Sequence, residues 1–319
     1  MKKPVVFMFS GQGSQFYQMG KDFYETNPVF KKTLDECDAF VQSYGGPALV
    51  AEIYGKPAKE QFDDLLVTHP ALVAIQYATY CMLADQGLHP DEVWGTSLGE
   101  LVATAVAGVI SIETALLTAI SHSRLVHQQC PAGGMIAVIA DRSVLNGYQE
   151  YLPNITFVGD NFDGHFTLSG PKADLDRLET ALKADKVNLV RLPVQFAFHS
   201  PFITSAKAEF LAYTAQQQWQ PTGIMPIIST MRAGQVEAFT NQYFWDVVEG
   251  QMRFQETVRN LEQQRSRLYV DLGPAGTSAT FVKYNLPASS TSEQYPIITP
   301  FGRGERCLAA VKEAMAKNV

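Results

Sequence analysis

The sequence predicts an α/β fold: a large domain with a mostly parallel sheet, carrying a smaller inserted subdomain of ferredoxin-like pattern. Three observations predict it. Strand, turn and helix signals alternate along the first 130 residues, which is the pattern of a parallel sheet. After Pro131 the order changes to β-α-β-β-α-β within about sixty residues. The chain has 319 residues, more than one typical domain core, which leaves room for both units. The expected division is residues 1–131 with 194–319 for the large domain, and 132–193 for the subdomain.

The elements follow in order. Val5 to Phe9 is an apolar run ending at Gly11-Gln12-Gly13, which reads as a buried strand and a tight turn. Two lysines precede it, but the run is too short for the apolar region of a signal peptide. Helical patterns cover about Met19 to Gln42 and His69 to Gln86. In the second, Leu72, Ile75, Met82 and Leu83 share a face. Glu92-Val93-Trp94 is a very short strand before Gly95-Thr96-Ser97-Leu98-Gly99, and small residues fill the next helix, Leu101 to Val109. Ser111 is the expected N-cap of a helix over 112–129. In the insert, strands are expected at Met135–Ala140, Ile155–Val158, His165–Ser169 and Asn188–Pro193. Helices are expected at Asp141–Tyr151 and Asp174–Lys183. The chain then returns through an apolar strand running into a turn at His199, further helix, and a strand at Arg267–Leu272.

Composition narrows the function. Lys+Arg 25 against Asp+Glu 32 gives a net charge of −7. That argues against nucleic acid or an anionic membrane as the main partner. No apolar stretch is expected to reach membrane-spanning length. Cys37, Cys81, Cys130 and Cys307 are scattered without CxxC spacing, so they read as reduced thiols of a cytoplasmic protein and not as staples or zinc ligands. No metal and no cofactor is expected.

Ser97 lies between two glycines, after a short strand and at the start of a helix. Such a turn holds a hydroxyl clear of the backbone, with the next N–H aimed at the same point. A glycine-rich turn without chemistry has the same spelling. A nucleophilic serine needs a base, and His199 in "LPVQFAFHSPF" is the best placed of six histidines, although a histidine there also reads as merely packed or solvated. No acidic partner stands out between the two, and a backbone carbonyl can orient the imidazole instead. An oxyanion needs two converging N–H groups. Leu98 supplies one, and Gln12, in the loop after the first strand, can supply the other because neighbouring parallel strands end at one crevice. The Gly11-Gln12-Gly13 turn can also be ordinary; a nucleotide-binding turn would need a full GxGxxG, which is absent.

"GQGSQ" near the start, "GTSLGE" around residue 97, "AFHSP" around 199 and "DLGPAGT" around 273 occur in this order and at these separations in one family. The chain resembles the malonyl-CoA:acyl carrier protein transacylases, which include the acyltransferase domains of polyketide synthases. The resemblance runs from about residue 4 to residue 301. It implies a hydrolase-like α/β domain with a ferredoxin-like subdomain. It implies Ser97 as acyl nucleophile, His199 as general base and acid, and the N–H groups of Gln12 and Leu98 as oxyanion hole. It also implies a main-chain carbonyl near Gly250 to Met252 holding the other imidazole nitrogen.

The departures from the family set the expected substrate. Malonyl-handling members carry an arginine on the second helix after the serine turn, whose fork grips the malonyl carboxylate. That position here is His122. Arg124 lies about 200° around the helix and points elsewhere. Residue 96, usually histidine, is Thr96, and the subdomain's "N-x-N-x-x-x-Q" reads Gly159, Asn161 and His165. Thr96, His122, Asn161, His165 and Phe198 are therefore the candidate substrate-binding residues. A carboxylate buried without its guanidinium would cost several kcal/mol, and a neutral acyl group would not. His122 as mere filling, with malonyl held in another way, is the alternative.

Within the family the chain is similar to the free-standing acyl hydrolases of trans-acyltransferase polyketide clusters. That resemblance implies hydrolysis of non-malonyl acyl groups from acyl carrier protein thioesters, as proofreading, through an acyl-Ser97 intermediate. The implied partner is a polyketide acyl carrier protein bearing its acyl group on phosphopantetheine. An acidic carrier would need a local basic patch, on which net charge is silent. An acyltransferase moving malonyl or another acyl unit from CoA to the carrier is the competing expectation, and a non-catalytic docking protein is a third.

Overall fold

A computed structural model describes residues 2–318. Among the described residues, ten strands build two sheets. In chain order they are β1 (Val5–Phe9), β2 (Glu92–Gly95), β3 (Gly133–Ile139), β4 (Thr156–Phe162), β5 (His165–Pro171), β6 (Asn188–Arg191), β7 (Ile227–Ser229), β8 (Gly234–Gln235), β9 (Leu268–Asp271) and β10 (Glu293–Pro296). The large sheet has the order β10-β9-β1-β2-β7-β8. Its first five strands are mutually parallel and only β8 pairs antiparallel.

β1 lies near the sheet's centre, and all five of its residues are buried. Buried parallel strands carry continuous apolar runs because helices cover both faces. The alternation of side chains sorts the run. Val5, Phe7 and Phe9 join the main core, whereas Val6 and Met8 pack with Trp94, Phe254, Val258 and Tyr269 on the other face. Phe9 pairs with Gly95, so β1 and β2 end level and their following turns meet.

The helix Leu65–Asp85 corrects the expectation about membrane-spanning segments. It is 21 residues long and apolar enough, by length and composition, to cross a membrane. In the fold it is the central core helix, with 78% of its most apolar window buried. Asp64 caps its start by accepting from the Leu66 N–H at 3.0 Å. The pattern read as one helix from Met19 to Gln42 is two, Lys21–Thr26 and Pro28–Ser43. Asn27 breaks it: its Oδ1 accepts from the N–H groups of Val29 and Phe30, each at 3.0 Å, and Pro28 takes the first helical position. Ser111 caps Ile112–Gln129, accepting from the Thr114 N–H at 3.1 Å.

The small sheet has the antiparallel order β4-β5-β3-β6. Ile136, Val138, Phe166 and Leu168 face its two helical segments, 3-10 Arg142–Tyr151 and α-helical Lys172–Ala184, through Leu145, Tyr148, Leu175, Leu178 and Leu182. The alternate residues Met135, Ala137 and Thr167 face the cleft between the sheets. The return segment departs from expectation: Val194 to Ser200 forms no strand, and His199 sits in the left-handed region at φ 59°.

Candidate active site

The cleft begins where β1 and β2 end. Ser97 follows β2 at φ 53°, a conformation that non-glycine residues adopt only when the surroundings impose it. The surroundings here are close. A Cβ on Gly99 would lie 2.1 Å from the Phe9 carbonyl oxygen, and one on Gly11 would lie 2.8 Å from Ser97 Cβ. The serine turn and the β1 turn are thus pressed together, which only residues without side chains allow. Gln76, on the core helix, holds the end of β1 by accepting from the Ser10 N–H at 2.7 Å and donating to the Ser10 carbonyl at 3.1 Å.

Ser97 Oγ is 2.9 Å from His199 Nε2, and His199 Nδ1 is 2.8 Å from the carbonyl oxygen of Gly250. A carbonyl only accepts, so Nδ1 carries the proton and Nε2 is left to accept from the serine hydroxyl. Burial lowers the His199 pKa to about 4, against a smaller raising effect of the Gly250 carbonyl. The imidazole is therefore neutral at pH 7. A hydroxyl bonded to a neutral, oriented imidazole can lose its proton as it attacks an electrophilic carbon. The backbone N–H groups of Leu98 and Gln12 have no hydrogen-bond acceptor among the described residues, and both residues line the cleft.

The carbonyl that orients His199 comes from the 250–252 loop, and β4 locates that loop. Met252 N–H donates to the Val158 carbonyl at 2.8 Å. A Cβ on Gly159 would lie 1.7 Å from the Met252 carbonyl oxygen. The glycine at this departure from the family pattern is thus required by the close approach of the loop.

All nine residues singled out in the sequence line one cleft: Gln12, Thr96, Ser97, Leu98, His122, Asn161, His165, Phe198 and His199. Arg124 does not; it is exposed and donates to the Tyr44 and Gly45 carbonyls. Of the 24 lining residues none is Arg, Lys, Asp or Glu. His122 is 2% exposed and packs among the rings of Phe198, Phe210 and Trp245. Burial, with a smaller effect of nearby His199, lowers its pKa to about 3. It carries no charge at neutral pH. Asn161 Nδ2 donates to His165 Nδ1 at 2.9 Å and to Thr167 Oγ1 at 3.0 Å, and His165 stacks on Phe162 at 4.8 Å, across the cleft on the small sheet.

The sequence reading missed His69. It lies buried on the core helix, with a pKa held well below the usual value by burial and then by His122. Its Nε2 is 3.2 Å from His122 Nδ1, and its Nδ1 meets the side-chain amide of Gln12. Nothing in sequence signals this pair, because 53 residues separate its members. Phe210 and Trp245 were missed for the same reason. "DLGPAGT" closes the cleft from the β9 side. Asp271 accepts from the N–H groups of Gly273 and Ala279, each at 2.9 Å, and so fixes the start of the helix Thr277–Asn285, whose Thr277, Ser278 and Phe281 line the cleft.

Comparison with known proteins agrees with this architecture. The acyl transferase domain family matches residues 6–315. The chain is 37% identical over 303 residues to the polyketide biosynthesis acyltransferase homolog PksD of Bacillus subtilis (strain 168), covering 94% of this chain and 93% of that protein. It is 33% identical over 317 residues to the polyketide biosynthesis acyltransferase homolog BaeD of Bacillus velezensis, covering 99% and 98%. Among solved structures, the acyltransferase domain from the second module of the salinomycin polyketide synthase superposes with a TM-score of 0.85 at 27% identity, over 100% of this chain and 74% of that one. MCAT of Streptococcus pneumoniae shares the fold, with a TM-score of 0.77 at 23% identity over 97% of this chain and 99% of that one.

Proposed function

The chain belongs to the acyl transferase domain family, and from that premise we propose that it is a serine-dependent hydrolase of acyl carrier protein thioesters, acting on neutral acyl groups in polyketide biosynthesis. The observation that carries the reading is the cleft without a cation. His122, uncharged and buried among aromatic rings, occupies the place where a carboxylate clamp is expected.

In this reading Ser97 Oγ attacks the thioester carbon while its proton moves to His199 Nε2. The N–H groups of Leu98 and Gln12 hold the oxyanion. Collapse breaks the C–S bond. The phosphopantetheine thiolate leaves with the proton from His199, and the acyl group stays on Ser97 as an ester. Water then enters, gives a proton to His199 and attacks the ester carbon. The second collapse restores Ser97 Oγ–H and releases the free acid. Gly250 holds the imidazole in one tautomer throughout.

Water and a carrier thiol use the same base, so the site's chemistry serves either. The substrate argues for removal. An extender unit carries a carboxylate, whose loss drives chain elongation. A neutral acyl group on a carrier cannot serve that way, and an enzyme selecting it clears the carrier. The likeness to PksD and BaeD, each a polyketide biosynthesis acyltransferase homolog, supports a polyketide acyl carrier protein as partner. The test is intact-mass analysis of the protein after exposure to acyl thioester. One acyl mass on Ser97, released as free acid and absent in Ser97→Ala, is expected. An adduct persisting in Ser97→Ala overturns the assignment, and acyl mass moving to an added carrier thiol favours transfer.

A further inference from the structure

The substrate pocket contains a buried donor that the reaction above does not use. The side-chain amide nitrogen of Gln12 contacts Thr68 Oγ1 at 2.9 Å and His69 Nδ1. That nitrogen bears only hydrogens to share, so His69 Nδ1 accepts. His69 must then carry its proton on Nε2, which donates to His122 Nδ1 at 3.2 Å. His122 in turn carries its proton on Nε2. This Nε2 is buried and has no hydrogen-bond partner among the described residues. Gln12, His69 and His122 thus form a one-way chain that ends in a free N–H.

The residue that bears this free N–H lines the space around Ser97. His122 lines the main cleft and also a small apolar recess beside the serine, formed by Ser97, Leu98, Leu101, Phe210, Val247 and Val248 among others. An acyl group on Ser97 entering this recess meets His122 as the one side chain there with an unsatisfied donor. The Ser97 hydroxyl is consumed in the acyl ester, and Thr118 of the recess already donates to the Thr114 carbonyl at 2.7 Å. A buried donor left unpaired is unfavourable, and a ligand oxygen that satisfies it gains discrimination over a ligand without one.

We infer that His122 Nε2–H donates to an oxygen on the acyl chain, so that the preferred substrates are uncharged acyl groups bearing a hydroxyl or keto oxygen near the thioester. This rests on acylation at Ser97 but not on hydrolysis, and it narrows the neutral acyl class to its oxygenated members. His69 is a positioning residue that sets the tautomer, and Gln12 ties that setting to the loop bearing one N–H of the proposed oxyanion site.

The experiment compares acylation of Ser97 by carrier protein loaded with butyryl, 3-hydroxybutyryl or acetoacetyl groups, read as the rate at which the adduct appears by intact mass. The wild type is expected to acylate about tenfold faster with the oxygenated chains, the worth of one hydrogen bond. His122→Phe keeps an aromatic ring of similar size and removes the donor. Its oxygenated-to-butyryl ratio should fall to about one, whatever the change in absolute acylation rate. Nitrogen-15 spectra of the histidine rings give a readout independent of the variant's folding, with His122 expected as the Nε2–H tautomer. Equal wild-type rates for all three chains, an unchanged ratio in His122→Phe, or an Nδ1–H tautomer at His122 would each overturn the inference. Adduct release to a thiol instead of water would end the hydrolase reading and leave this one standing. Absence of any adduct on Ser97 would end both.

Discussion

At the scale of single residues, the proposed reaction rests on a hydroxyl and a neutral imidazole 2.9 Å apart, with the Gly250 carbonyl behind the imidazole. His199→Ala should slow both acylation and deacylation by roughly 10²–10⁴, the range for a positioned general base; a loss of only a few-fold would point to another base. The pH profile should carry the mark of burial. The base must be unprotonated, and its pKa lies at about 4. kcat/KM should therefore stay level from pH 7 down to about 5 and decline as pH falls through 4, without the inflection near 6.5 of an ordinary histidine. His122→Arg tests the departure from the malonyl pattern. The guanidinium would have to be buried among Phe198, Phe210 and Trp245, so butyryl turnover should fall. The malonyl-to-butyryl ratio of kcat/KM should rise by roughly tenfold, as a charge-assisted pair forms with the carboxylate. The resemblance made Ser97 and His199 legible because their motifs are local. The Gln12–His69–His122 chain was not, since it is assembled from three elements distant in sequence.

At the scale of elements, the site is held by approaches that admit no side chain. Gly159 on β4 lies against the 250–252 loop, and that loop supplies the carbonyl for His199. Gly159→Ala must displace the Met252 carbonyl by more than about an ångström to reach normal contact. We expect a destabilisation of about 1–3 kcal/mol, as for other overpacked sites, together with slower acylation as the Gly250 carbonyl shifts. Thermal unfolding and single-turnover kinetics check the pair. Loss of stability with unchanged acylation would show that the loop does not position the imidazole. The element boundaries follow the same logic of local signals. The Ser111 cap was readable, and so was the Asn27-Pro28 break, had the Asn-Pro pair been weighed as a helix start within the longer apolar pattern. The segment before His199 was misread, because its apolar residues pack into the core from an irregular path and not from a strand. Apolar alternation cannot separate those two cases when the packing partners come from elsewhere in the chain.

At the scale of the whole molecule, the parallel order of the large sheet and the split pattern of the small one were legible because each depends on element sequence more than on exact ends. The fold also buries ionisable groups of both kinds, which shapes its response to pH. His69, His122 and His199 have lowered pKa values, so between about 4 and 6.5 the unfolded chain binds protons that these sites refuse. Their contribution to stability is present above 6.5 and is lost as pH falls through that window. Glu100, pushed up to about 8, and Asp271, pushed up to about 6, act with the opposite sign and favour the fold on the acidic side. His122→Phe removes one of the refusing sites. The difference in unfolding free energy between pH 7 and pH 4.5, measured with urea, should therefore be smaller in the variant than in the wild type; an equal difference would mean that His122 titrates alike in both states. The proposed function has this cleft clear neutral acyl groups from carriers. Mixing the protein with carrier loaded with butyryl or malonyl, in the presence of a second, empty carrier, and following all species by intact mass tests it. Butyryl carrier should return to free thiol with release of butyrate, malonyl carrier should persist, and the empty carrier should gain no mass. Faster loss of malonyl, or acyl mass appearing on the empty carrier, would contradict that function.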